Sequence, residues 1–312
     1  MTEIARRNRP PAAAPALPAG RISRRRLLAG AGAAALLAAC GSSDGEGSGS
    51  SGDEHVLIPV FDVGRAGPML RTGIEQRTVW TLAGADGAVL SEGLPAALSF
   101  TLSLDGQQVG APLEATRHEA GVPRPYYPLR FTVAQPGVYT AAVDFRRQRL
   151  EQQFLVGSPE QVPLVQPGEA AIPTPTPTTT DARGVRPICT RNPVCPFHEV
   201  SLADALGQKR PTALLISTPA FCQTAVCGPV LETLVEAAPS YPGVTFVHGE
   251  VYSNGEELTG DLTKAKIAEV VTAYKLTFEP SLVVIGADGK VLERLDFAFD
   301  RTETTSALDR LR

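Results

Sequence analysis

The chain predicts an all-β domain followed by an α/β domain, both behind an N-terminal addressing segment. Three observations carry this. Short runs of alternating apolar residues recur between 55 and 156. A Pro/Thr tract at 173–180 then interrupts the pattern. Beyond it a continuous apolar run, Ala213 to Ile216, leads through a two-cysteine loop into the apolar-periodic segment Val230 to Ala238. Alternation at period two is the mark of a half-buried strand, and an apolar run bounded by turn signals suits a strand at a sheet centre. A length of 312 residues fits two domains plus tails. Hydrophobic content of 43%, charge of 20% and a net charge of −4 are ordinary for globular protein and give no reason to expect a nucleic-acid partner.

Residues 1–39 read as a signal peptide. Ser23-Arg24-Arg25-Arg26-Leu27-Leu28 resembles the twin-arginine export motif, with Arg24 and Arg25 as the pair. The apolar run Leu27 to Ala39 suits a signal h-region and is too short to span a bilayer. Leu37-Ala38-Ala39-Cys40 resembles a bacterial lipobox, which implies cleavage before Cys40 and its lipidation. Two or more acyl chains hold a protein stably on a membrane. The expected location is therefore the cell membrane, lipid-anchored on the extracytoplasmic face. Residues 40–53 read as a Gly/Ser tether.

Residues 54–157 read as an all-β domain. Leu98, Phe100, Leu102 and Leu104 alternate with polar residues, as do Leu129, Phe131 and Val133, and Tyr139, Ala141, Val143 and Phe145. His55 to Phe61, Arg77 to Leu82 and Leu150 to Val156 are weaker candidates. About seven strands in roughly 100 residues suggest an immunoglobulin-like sandwich. Trp80 reads as core and His118 as exposed. Residues 158–183 read as a Pro/Thr-rich, semi-rigid linker holding the last domain apart.

In 184–312 the element order is α-β-α-β-α-β-β-α. Ser201 to Asp204 resembles a capping box, Asp261 is a candidate cap, and Ile267, Val270, Val271 and Tyr274 mark an amphipathic helix. Strand, cysteine pair, helix, then strand, helix and hairpin resembles the thioredoxin fold, over about Pro187 to Arg312. In that family a proline with a cis peptide bond opens the strand after the second helix and meets the substrate backbone. Pro280, after Glu279, falls at that place, and Phe221 precedes the first cysteine where the family often has an aromatic. The stretch from Cys189 to Pro229 is similar to an actinobacterial group of thioredoxin-like lipoproteins.

The pair Cys222 and Cys227 is spaced C-x4-C, with Cys227 at the helix mouth, where the dipole and free N–H groups favour a thiolate. Strand, cysteine pair and helix is the layout of a thioredoxin-type redox site, and the expected work is thiol–disulfide exchange on exported proteins, with a membrane redox partner and no cofactor. A permanent structural clip is the alternative. Cys189 and Cys195 read as a disulfide staple or a second dithiol. The four cysteines allow three pairings, with the two close pairs as the default. Two readings of other classes stand beside exchange. One is a non-catalytic binding or scaffold lipoprotein stabilised by disulfides. The other is a Sco-like copper chaperone, for which Cys222, Cys227 and His248 are the weak metal candidates and His198 a further histidine. Glu250 and Glu279 are candidate proton acceptors.

Overall fold

The first β segments place a fully buried tryptophan between two sheets. In the computed structural model, residues 54–61, 67–222 and 224–312 are described, so Arg24, Arg25 and Cys40 lie outside the described residues. One sheet has the order β1 (His55–Pro59), β3 (Gln76–Gly84), β7 (Tyr127–Phe131), all antiparallel. The other runs β2 (Leu70–Arg71), β9 (Gln148–Gly157), β8 (Gly137–Phe145), β4 (Ala97–Leu104), β5 (Gln107–Gln108), with β6 (Leu113–Thr116) also on β4. Alternation turns Phe100, Leu102, Tyr139, Ala141 and Val143 inward. Trp80 of β3 meets Phe100 of β4 and Phe154 of β9, with ring centroids 5.6 and 5.8 Å apart. Its indole N–H donates to Thr78, so the buried polar atom is satisfied.

The C-terminal sheet has the order β11 (Thr245–Gly249), β10 (Thr212–Ile216), β12 (Ser281–Ile285), β13 (Val291–Asp296). The β10–β11 pair is parallel and the other two pairs are antiparallel. Helices α1 (Leu202–Gly207), α2 (Cys227–Ala237), α3 (Glu269–Ala273) and α4 (Arg301–Asp309) accompany it. The two central strands are buried throughout, and their side chains divide by parity. Ala213, Leu215, Leu282 and Val284 share a core with Val230, Leu231 and Leu234 of α2 and Leu308 of α4. Leu214, Ile216, Val283 and Ile285 join the core that continues into the N-terminal sheets. Ser201 caps α1, accepting from the Asp204 N–H. Asp261 caps a short 3-10 turn, Leu262–Lys264, rather than α3, and Ile267 lies outside α3 and exposed.

The Pro/Thr segment is a strap, not a free spacer. Val162, Leu164, Val165, Thr174 and Thr176 are buried. Gly168 N–H donates to Val291 O, Val291 N–H to Glu169 O, and Ala171 N–H to Gly289 O, so the strap extends the β13 edge. Further on, the Thr176 hydroxyl accepts from Leu202 N–H, and Thr179 N–H donates to His198 O. Polyproline-like backbone makes no hydrogen bonds within itself, and here its amides and carbonyls are satisfied by its neighbours.

A buried polar network joins β3 to α4. Arg77 pairs with Glu303, their side chains 4% and 8% exposed, and also donates to the carbonyls of Asp296 and Ala298. Tyr126 donates to Glu303 and accepts from Asp300 N–H. His118 is not a free surface residue: its Nδ1 lies 3.0 Å from Asp300, the α4 cap. All described residues accordingly belong to one contact unit.

Removing one member of such a pair strands a buried charge. Arg77→Met is expected to cost about 3–5 kcal/mol in chemical denaturation, and Arg77→Met with Glu303→Leu to recover most of it. The pH dependence has two edges. Burial opposes ionisation of Glu303, but the charge and hydrogen bonds of Arg77 hold its carboxyl below the usual range of about 4.5, so this contribution is lost as pH falls through the lowered value. The hydrogen bond to Asp300 raises His118 above 6.5, so its contribution is complete below 6.5 and is lost as pH rises through the raised value. Denaturation midpoints across pH should fall at both edges, and His118→Gln should reduce the alkaline slope while leaving the acid edge in place.

Candidate functional site

The C-terminal ends of β10 and β11 converge on two cysteine loops. The first follows β10. Cys222 and Cys227 are joined by a disulfide, with Cα atoms 6.0 Å apart. Cys227 is the first residue of α2 and wholly buried, whereas Cys222 is half-buried. The Cys227 N–H donates to the Cys222 sulfur at 3.3 Å. The helix mouth therefore acts on the outer sulfur, not only on the cysteine that occupies it. The turn between them is accommodated by Ala225 in the left-handed region, at φ 58°. Phe221 packs edge-on to Tyr252, with centroids 6.0 Å apart.

The second component is the approach to β12. The Glu279–Pro280 bond is cis. Glu279 accepts from Thr218 N–H at 3.0 Å, which ties this turn to the start of the cysteine loop. Burial pushes the Glu279 carboxyl up to about 7, against the Thr218 amide, with Glu250 adding to the rise. A cavity of about 250 Å³ lies between the two, lined by Thr224 from the cysteine loop, Thr277, Phe278 and Glu279 from the proline turn, and Tyr252 and Ile267. Its lining is an apolar trough with one titratable carboxyl at its edge.

The third component is a buried set of two thiols and two imidazoles. Cys189 and Cys195 are free thiols, not a staple. Both sulfurs face His248 Nδ1, at 3.6 and 3.5 Å, and the Cys195 sulfur lies 3.3 Å from His198 Nε2. His248 pairs with Leu215 in the β10–β11 register, which turns it to the α2 side of the sheet, where both cysteines are buried. The histidine weighed with Cys222 and Cys227 for copper thus contacts the other cysteine pair. The hydrogen bond from the Cys195 thiol draws the Cys189 thiol well below its usual range, and the same bond holds Cys195 up. The spacing Cys195-Pro196-Phe197-His198 is the one sequence signal for this set.

Thr190 connects the loops. Its hydroxyl donates to Glu250 at 2.9 Å and accepts from Ala220 N–H at 3.1 Å, and its own N–H also meets Glu250. Burial raises the Glu250 carboxyl, against the pull of His248 and the Thr190 amide.

No family model and no curated protein matches the chain. Among solved structures, one match is the chimeric titin Z1Z2 functionalized with a KLER exogenous peptide from decorin, 16% identical, covering 33% of this chain and 95% of that one, at a TM-score of 0.19. Similarity at that score carries no argument about fold or function.

Glu279 sets a pH signature. Its folded value near 7 exceeds its ordinary 4.5, so the folded state prefers the neutral carboxyl. That contribution is complete below 4.5 and is lost as pH rises through about 7. Glu279→Gln retains an oxygen for Thr218 and removes the titration. The variant is expected to gain stability over wild type across this interval, by on the order of 3 kcal/mol, read from denaturation at pH 4.5 and 8.

Proposed function

We propose that the chain is an extracytoplasmic thiol–disulfide exchange protein with a thioredoxin-like C-terminal domain, held to the cell membrane through lipidated Cys40 after export on the Arg24-Arg25 motif. The supporting observation is the Cys222–Cys227 disulfide at the mouth of α2. Its outer sulfur takes the first helical N–H beside a trough bounded by the cis-Pro280 turn.

Oxidation of a substrate dithiol proceeds in two displacements. A substrate thiolate attacks the Cys222 sulfur, the Cys222–Cys227 bond breaks, and Cys227 leaves as a thiolate that takes up a proton. The second substrate thiolate then attacks the substrate sulfur of the mixed disulfide, releasing Cys222. The products are a substrate disulfide and a protein dithiol, which a membrane redox partner reoxidises. Reduction is the same path reversed, with Cys222 attacking and Cys227 resolving. Cys222 is the entering sulfur because it is the accessible one, and the N–H it accepts favours its thiolate as leaving group or nucleophile. Backbone next to Pro280 offers an extended substrate chain a strand-like partner. Among the described residues no helix is long and apolar enough to cross a membrane, so the proposed attachment rests on Cys40.

Equilibration of the full chain in graded thiol buffers, read by mass spectrometry, tests this. A 222–227 pair titrating between roughly −120 and −270 mV is expected, as in known oxidoreductases. Cys227→Ser should trap a mixed disulfide on Cys222 when Cys222 attacks a substrate disulfide, whose other sulfur leaves as a thiolate. A pair resisting reduction below about −300 mV, with no trapped adduct, would instead leave a structural clip in a non-catalytic binding lipoprotein.

A further inference from the structure

We propose that Cys189, Cys195, His198 and His248 form a closed zinc site that clips the 189–198 loop to β11. The four residues are 4%, 3%, 1% and 0% exposed, and their ligand atoms all lie within 4.8 Å of one another. Zinc takes thiolate at about 2.3 Å and imidazole nitrogen at about 2.0–2.1 Å, so a tetrahedral site sets sulfur and nitrogen roughly 3.5 Å apart. Three of the four sulfur–nitrogen separations here are 3.3, 3.5 and 3.6 Å.

Hydrogen bonding among the four groups does not account for the arrangement as well. Both sulfurs converge on the single nitrogen His248 Nδ1, which as donor or as acceptor has one hydrogen-bonding site to offer them. The other ring nitrogen, Nε2, is 3.1 Å from both the carbonyl and the hydroxyl of Ser217; a proton on Nε2 can donate to either oxygen, which leaves Nδ1 to ligate. His198 Nδ1 is buried with no hydrogen-bond partner. Four soft or borderline donors within 4.8 Å of one another, none of them open to solvent, match the ligand set of a structural zinc rather than a catalytic metal with a vacant position.

The chain supplies a reason for a clip at this place. From Val162 to Ser201 no helix or strand is formed, so 40 residues are held only by side chains and scattered hydrogen bonds. Irregular segments of that length are uncommon in a compact fold. Zinc would tie the end of this segment to the sheet. Through Thr190 it would also fix the backbone N–H of Ala220, two residues before Cys222.

The full chain, purified without chelator under mild reductant, should carry one zinc per molecule by elemental analysis. Cys195→Ser and His198→Gln should each lose most of it, while Cys222→Ser with Cys227→Ser should retain it. Because the first two variants risk misfolding, wild-type protein provides the second measurement. Alkylation followed by mass spectrometry should leave Cys189 and Cys195 unmodified in the zinc-loaded chain and label both after chelator treatment. Refolding with cobalt(II) in place of zinc should give thiolate-to-metal charge transfer and the intense visible bands of a tetrahedral ion. A native Cys189–Cys195 disulfide in metal-free protein would overturn the proposal. So would zinc lost with Cys222 and Cys227, or copper found at the site in preference to zinc. Exchange chemistry at Cys222 is read separately, so neither result decides the other.

Discussion

The contact between Arg77 and Glu303 is the constraint on which the rest depends. An arginine on a strand of the N-terminal sheets meets a glutamate on the last helix, with both side chains almost wholly buried. Neither charge is tolerable alone in that setting. Every guanidinium nitrogen is satisfied, by Glu303 or by the carbonyls of Asp296 and Ala298. Those carbonyls lie at the end of β13, so the pair fixes the edge strand as well as the helix. The apolar core runs uninterrupted from Trp80 to Ile285 beside it. The cysteine loops therefore sit on a sheet whose far edge is held by the N-terminal sheets, and the site inherits its rigidity from residues remote in sequence.

Much of this was legible locally. The alternation at Leu98–Leu104 and Tyr139–Phe145 corresponds to β4 and β8, and the run Ala213–Ile216 lies within β10, because burial on one or both faces writes itself into adjacent residues. Strands of two to four residues, β2, β5 and β6, left no such pattern, since they are set by pairing partners rather than by a period of their own. The strap departs from the free spacer its composition predicts for a physical reason. A Pro/Thr tract cannot build a core, but it can be buried by someone else's, and composition speaks only to the first.

The site divides in the same way. The pair at Cys222 and Cys227 announces itself by sitting between an apolar run and a helix. The buried set does not. His248 lies 59 residues from Cys189 and 53 from Cys195, and only the parity of β11 and its register with β10 bring them together. Glu279 stood out as a candidate proton acceptor, but its tie to the cysteine loop was invisible, because its partner is a backbone amide at Thr218, a group that every sequence contains.

The strap has a consequence for the integrity of the molecule. It bonds to β13 at one end and to α1 and the His198 carbonyl at the other, while the Arg77–Glu303 network joins the two halves independently. Peptide continuity through it is thus one of several links. A protease that cut the chain near Thr178 to Thr180, where exposed residues surround the turn, would leave two fragments still mated. Their attraction would change from an intramolecular contact, acting at a high effective concentration, to a bimolecular one. The halves would then behave as a heterodimer whose lifetime, rather than its fold, depends on dilution.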